Sequence, residues 1–322
     1  MSVFDDGNRL LQQQDHVFDL KESPTNSTIF MNIYINPDRV KKSFQIAQEQ
    51  LRVVSESRHV NDTIYYNMIG YRNYTEYPVC RGGLERHCHF LRHYDKAFEE
   101  VTLQRLYEYC RRYPHQTVTY LHNKGSFRKD RGNCKTRRLV TTAVLSDACL
   151  SMPLDPHTYD CNVCSLNFRT TPHIHFSTNM WTAQCRLVRK LVPPREYEAV
   201  RTRLFRRVWD QYEESCGLVD WDNATMEFGL SRYSMERWLA SHPDMLPCDT
   251  INHAMAKFHR GWEKWNPTLY ASRSLTRLGY AQDKERLHMW LQYYEFQQLY
   301  DNSEPNDIFR NYTSAIDVSS PC

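Results

Sequence analysis

Apolar and polar positions along this chain switch between two periods, and the switching predicts its elements. Thr28–Ile35 is a near-continuous apolar run of strand length, the pattern of a strand buried on both faces. Asn36-Pro37-Asp38 follows, a capping residue and then a proline suited to a first helical position. Val40, Phe44, Ala47, Leu51 and Val54 then recur at helical spacing and make one apolar face. A second strand is predicted over Thr63–Ile69, closed by Gly70. The spacing of Phe98, Val101, Leu106 and Tyr109 predicts a helix over 95–112 that stops before Pro114. Thr117–Leu121 is β-branched and aromatic, a short strand that runs into the polar cluster His122-Asn123-Lys124-Gly125-Ser126. Further helices are predicted over 135–148, 195–214, 232–240 and 284–300. Strands alternating with helices predict an α/β fold with a mostly parallel sheet flanked by helices. Residues 1–27 are polar and aperiodic and read as a tail.

Composition narrows the class. The 322 residues suffice for one large core or two modest ones. A net charge of +3 is too balanced for a dedicated nucleic-acid binder. No apolar stretch approaches the roughly 18 residues of a spanning helix, and no leader pattern opens the chain, so a soluble chain with no membrane anchor of its own is expected. Eleven cysteines allow free thiols or up to five bridges. Asn-x-Ser/Thr sequons occur at Asn26, Asn61, Asn73, Asn223 and Asn311. Together they favour the lumen of the secretory pathway, with the cytoplasm as the alternative.

In open α/β sheets ligands sit beyond the carboxyl ends of the strands. The cluster after the Thr117 strand offers His122, Lys124 and Ser126 around a permissive Gly125, a set suited to a phosphorylated ligand or simply to a solvated turn. Arg137 and Arg138 follow on the next helix, as a second phosphate clamp or as a face in water. Cys161-Asn162-Val163-Cys164, near His157, His173 and His175, fits either disulfides or a zinc-stabilised interaction protein. His87, His89 and His93 make a second cluster, read as the polar start of a helix or a metal pair. Glu236 lies between Tyr233 and Trp238 and suits general-base work in a cleft, or a surface position.

Three segments carry a resemblance. Tyr120-Leu121-His122-Asn123-Lys124-Gly125-Ser126 resembles the Y-x-H-x-K-G-S signature of a eukaryotic, largely algal group of glycosyltransferase-like proteins. Phe176–Ala183 is similar to its S-G-N-x-W-x-A segment, with Thr178 in place of glycine. Arg232–Trp238 with Ser241-His242-Pro243 resembles its R-[YF]-x-x-E-x-W-x-x-S-H-P segment. Phe30–Ile35 and the stretch from Trp290 to Arg310 also look related, so the likeness spans 28–313. A more distant likeness is to bacterial rhamnan-synthesis domains.

The resemblance implies a nucleotide-diphospho-sugar transferase of the GT-A type, with a Rossmann-like sheet. It divides the chain into a tail (1–27), a GT-A-like domain (28–249), a helical C-terminal extension (250–313) and a short tail (314–322). Its partners would be a nucleotide-diphosphate sugar and a hydroxyl of a glycan or glycoprotein, in the Golgi lumen. The Asp-x-Asp that holds a metal in such folds falls here on His122-Asn123-Lys124. A metal-independent transfer is therefore expected, with no required cofactor and with manganese or magnesium as the alternative. His122, Lys124, Ser126, Arg137 and Arg138 would bind the donor diphosphate. Glu236 would be the general base, with Asn32, Tyr34, Asn179, Trp181, Trp238 and His242 contacting donor or acceptor. The runner-up is a catalytically inactive carbohydrate- or nucleotide-binding protein of the same fold.

Overall fold

A computed structural model describes residues 20–72, 78–127, 131–152, 161–169, 175–176, 178–203, 230–242, 244–250 and 270–271. The predicted helix over 284–300, nearly all of the C-terminal extension, the C-terminal tail and most of the N-terminal tail lie outside them.

The chain opens with β1 (Ser27–Ile35), α1 (Val40–Ser55), β2 (Thr63–Gly70) and β3 (Cys88–Tyr94). It continues through α2 (Glu100–Arg112), β4 (Thr117–His122), α3 (Arg131–Val144) and α4 (Asp147–Leu150). The later elements are short: β5 (Val163–Ser165), β6 (Phe168–Arg169), β7 (His175–Phe176), β8 (Trp181–Gln184), α5 (Cys185–Val188), β9 (Pro247–Asp249) and β10 (Tyr270–Ala271). A helix also covers 194–203. Seven strands form one sheet in the order β3-β2-β1-β4-β8-β5-β9, and the two residues of β10 pair on its β9 edge. β6 and β7 form a separate hairpin. β3, β2, β1 and β4 run parallel, β8 is antiparallel to both its neighbours, and β5 and β9 run parallel to each other. The expected α/β class with a mostly parallel, helix-flanked sheet is what forms.

Burial explains the layers. Central β1 is buried at eight of nine positions, so both its faces must be covered. Ile29, Met31, Ile33 and Ile35 face the apolar stripe of α1 (Phe44, Ala47, Leu51, Val54) and Val140, Ala143 and Val144 of α3. Phe30 faces the other side, with Leu103, Leu106 and Tyr109 of α2 and with Tyr120, Trp181 and Trp238. The entry to α1 follows the expected chemistry: the Asn36 side chain accepts from the Asp38 N–H at 3.0 Å, with Pro37 at the first position of a 3-10 turn. β2 ends at Gly70, φ +97°, where a Cβ would stand 2.6 Å from the Ile35 carbonyl oxygen.

Four expectations are corrected. Residues 20–26 do not trail away: Leu20 is buried, its carbonyl accepts from Arg112 and Tyr113, and the Lys21 N–H donates to the Tyr65 hydroxyl at 2.9 Å. His89 and His93 lie on edge strand β3 rather than on a helix, with only Leu91 of that strand fully buried. The predicted helix at 232–240 is a 3-10 segment, Ser231–Ser241. Cys161 and Cys164 are both disulfide-bonded, to Cys248 and Cys149, which leaves the Cys-x-x-C without a thiolate for zinc.

Two more disulfides, Cys80–Cys88 and Cys110–Cys185, complete four among the described residues, and Cys134 is a free thiol. Four structural bridges mark an oxidising, extracytoplasmic setting. No described helix is long and apolar enough to cross a membrane. Asn26 and Asn61 are exposed; Asn73, Asn223 and Asn311 lie outside the described residues.

Candidate functional site

Strand order reverses at β1: β2 lies on one side of it and β4 on the other. A crevice opens beyond the carboxyl ends of strands at such a point. Here it is a cavity of about 460 Å³. β1 contributes Asn32 and Tyr34, and the segment from β4 into α3 contributes His122 to Phe127 and Asn133. Phe98 and Glu99 come from the approach to α2, and Tyr233 and Glu236 from the 3-10 segment.

The turn after β4 is tied to β1 by the Asn123 side chain, with Asn36 Nδ2 donating to the Phe127 carbonyl at 3.1 Å. Asn123 Oδ1 accepts from the Tyr34 N–H, and its Nδ2 donates to the Tyr34 carbonyl, both at 2.8 Å. This amide continues the β1–β4 ladder as a peptide group would. Gly125 turns the chain at φ +91°, and a Cβ there would stand 3.2 Å from the Arg137 guanidinium. Arg137 is buried beneath the turn: it donates to the Lys124 carbonyl at 2.8 Å and pairs with Glu49 at 3.2 Å. Arg138 is exposed and holds the same carboxylate at 2.8 Å. Burial alone would push Glu49 up, but the Arg138 hydrogen bond and the Arg137 charge outweigh it and hold the carboxyl below its ordinary range. Arg137 therefore braces the turn from behind and shares Glu49 with Arg138, and neither arginine lines the cavity.

His122 enters the cavity as an uncharged side chain. Its Nε2 lies 2.5 Å from the Thr178 carbonyl oxygen, which can only accept, so Nε2 carries the hydrogen. Burial drives its pKa down to about 4, with the Lys124 charge pushing the same way. At neutral pH it is an uncharged imidazole whose Nδ1 faces Glu99 Oε1 at 3.8 Å. Thr178 pays for that contact with φ +113°, a backbone region where β-branched residues are strained.

Glu99 immediately precedes α2, and its side chain is 20 % exposed. Its Oε2 accepts from Asn179 Nδ2 at 2.6 Å and from the Tyr120 hydroxyl at 3.0 Å. Burial raises its pKa to about 7, against the opposing pull of those two hydrogen bonds and of Lys124. Tyr120 is pushed well above its ordinary value by burial and by Glu99, so it stays a donor. Among the described residues lining the cavity, Lys124 is the one cation, and its ammonium has no ion pair.

The cavity thus gathers Asn32, Tyr34, His122, Lys124, Ser126 and Glu236 of the expected site, and leaves out the rest. Asn32 Oδ1 accepts from Thr102, and Ser126 Oγ donates to Asn123. Asn179 is engaged at both ends of its amide, by Glu99 and by the Trp181 indole N–H, so it positions a carboxylate rather than a ligand. Trp181 and Trp238 are buried core, 6.0 Å apart, with the Trp238 indole on the Val192 carbonyl. His242 accepts from the Asp244 N–H and does not line the cavity. Glu99, Asn123 and the rim aromatics Phe98 and Phe127 were not anticipated. Glu99-Glu100 before an apolar helical stripe reads as an ordinary acidic first turn.

The turn does not fit a divalent cation. His122 has one nitrogen on a carbonyl, Asn123 is fully engaged with Tyr34, and the Lys124 ammonium repels a like charge. Comparison with curated proteins finds no match, and comparison with solved structures finds none either. One family model matches residues 30–311. Covering nearly all of the sheet and the cavity, that match establishes that the chain belongs to the family described as a domain of unknown function (DUF8361).

Proposed function

We propose that this protein transfers a sugar from a nucleotide-diphosphate donor to a hydroxyl of a glycan or glycoprotein, as a GT-A-like transferase of the secretory lumen. The observation that carries the reading is Lys124, a cation with no ion pair among the described residues, in the cavity where strand order reverses. A diphosphate seated there gains roughly 4 kcal/mol from one ammonium at about 4 Å and an effective dielectric of 20, before desolvation is subtracted. Exposed Phe98 and Phe127 with Tyr34 supply ring faces for a base or a sugar. Among the described residues, the donor's leaving diphosphate is stabilised by Lys124, since His122 is neutral and both arginines are bound to Glu49.

The test is a thermal-shift panel of nucleoside diphosphates and their sugars, with and without manganese. A ligand at a hundredfold excess over its Kd adds about 2.7 kcal/mol of apparent stability. Lys124→Met is expected to weaken nucleoside diphosphate binding at least tenfold while leaving the unliganded melting temperature unchanged. Equal binding by that variant rejects the reading. Binding without sugar transfer favours the inactive, binding-protein alternative.

A further inference from the structure

Two of the sequence signatures converge on a residue that belongs to neither. Tyr120 of the first and Asn179 of the second both donate to Glu99 Oε2, and Asn179 is itself held by Trp181. The carboxyl is thereby fixed in orientation, with no hydrogen bond to Oε1 among the described residues and the cavity beside it. We propose that Glu99, rather than Glu236, is the proton-accepting catalytic residue of this cavity, an assignment that rests on the transferase reading.

In the step, the O–H bond of the acceptor hydroxyl breaks and its proton passes to Glu99 Oε1. The oxygen's electron pair forms the bond to the anomeric carbon. The bond from that carbon to the phosphate oxygen breaks, and the nucleoside diphosphate leaves with the pair beside Lys124. The proton on Glu99 then returns to water, which restores the carboxylate.

The surroundings suit the role. β4 presents Tyr120 and His122, the following turn presents Lys124, the segment before β8 presents Asn179, and Glu100 is next in the chain. Tyr120 and His122 are both uncharged at neutral pH, so among the described residues Lys124 is the one opposite charge acting on the carboxyl. A base whose pKa lies near the working pH transfers protons most effectively, and burial sets Glu99 there. Glu236 reaches the cavity from the 3-10 segment and acts electrostatically on His122.

The experiment compares the full chain with its Glu99→Gln and Glu236→Gln variants, using uridine and guanosine diphosphate sugars as probes. It reads thermal stabilisation, release of nucleoside diphosphate, and carbon-13 signals of the glutamate carboxyls against pH. Expected is probe binding by all three proteins, with release slowed about 100-fold or more in Glu99→Gln and less than tenfold in Glu236→Gln. One carboxyl should titrate near neutrality in the parent and vanish in Glu99→Gln. Glu99→Asp, which keeps the carboxyl, should recover part of the rate and so separates chemistry from folding. A larger loss in Glu236→Gln, or a Glu99 carboxyl that titrates below about pH 5, overturns the assignment. Probe binding without release by the parent protein overturns it too. If no probe stabilises the parent, the transferase reading itself fails, and the titration still reports separately on Glu99.

Discussion

Thr178 shows how one residue can carry a local cost for the site. Its φ of +113° is a glycine-like conformation, and its Oγ1 is buried with no hydrogen-bond partner among the described residues. Such strain costs about 1–3 kcal/mol, offset in a glycine variant by about 0.5–1 kcal/mol of added chain entropy. Thr178→Gly should therefore raise stability by about 1 kcal/mol, measured as a higher urea midpoint at unchanged m-value. The mismatch at 178 was legible in the sequence, because threonine stands where the resembling family carries glycine. The charge state of His122 was not. Sequence shows a histidine beside a lysine; only burial and the Thr178 carbonyl make it neutral. Glu99 was equally hidden, since its partners Tyr120 and Asn179 lie 21 and 80 residues away.

At the scale of elements, the joint between β1 and the turn after β4 depends on a buried side chain. The Asn123 amide there holds the Tyr34 N–H and carbonyl. Asn123→Ala leaves both groups without their partner, at about 1–3 kcal/mol for each group that remains unsatisfied. The expected result is a loss of about 2–4 kcal/mol in urea unfolding, together with weaker nucleoside diphosphate binding, because Lys124 follows directly. The long buried elements were readable: β1, β2 and β4 lie within a residue or so of their predicted bounds, since apolar runs and cap chemistry are local signals. β3 was misread because an edge strand buries little, and its alternation is blurred by histidines and an arginine. β5 to β9 have two to four residues each, too few for a period to emerge.

For the whole molecule, the bridges tie distant stretches of chain together, three of the four from within the buried core. Closing separations of 75 and 87 residues constrains the unfolded chain by roughly 4–5 kcal/mol each in the chain-entropy model, against about 2.5 kcal/mol for the separation of 8. Replacing Cys110 and Cys185 together by serine should lower the urea midpoint more than replacing Cys80 and Cys88. A reversed order would show that strain or residual structure dominates. Helix α2 gives the first of these bonds a second meaning. Cys110 near its far end is joined to Cys185, while Glu99 at its near end is gripped by Asn179, six residues earlier than that cysteine. One stretch of chain thus clamps a strut about 15 Å long at both ends. If that sulfur bond opens, the far end of the strut is held by packing and hydrogen bonds, while Tyr120 and Asn179 still grip Glu99 at the near end.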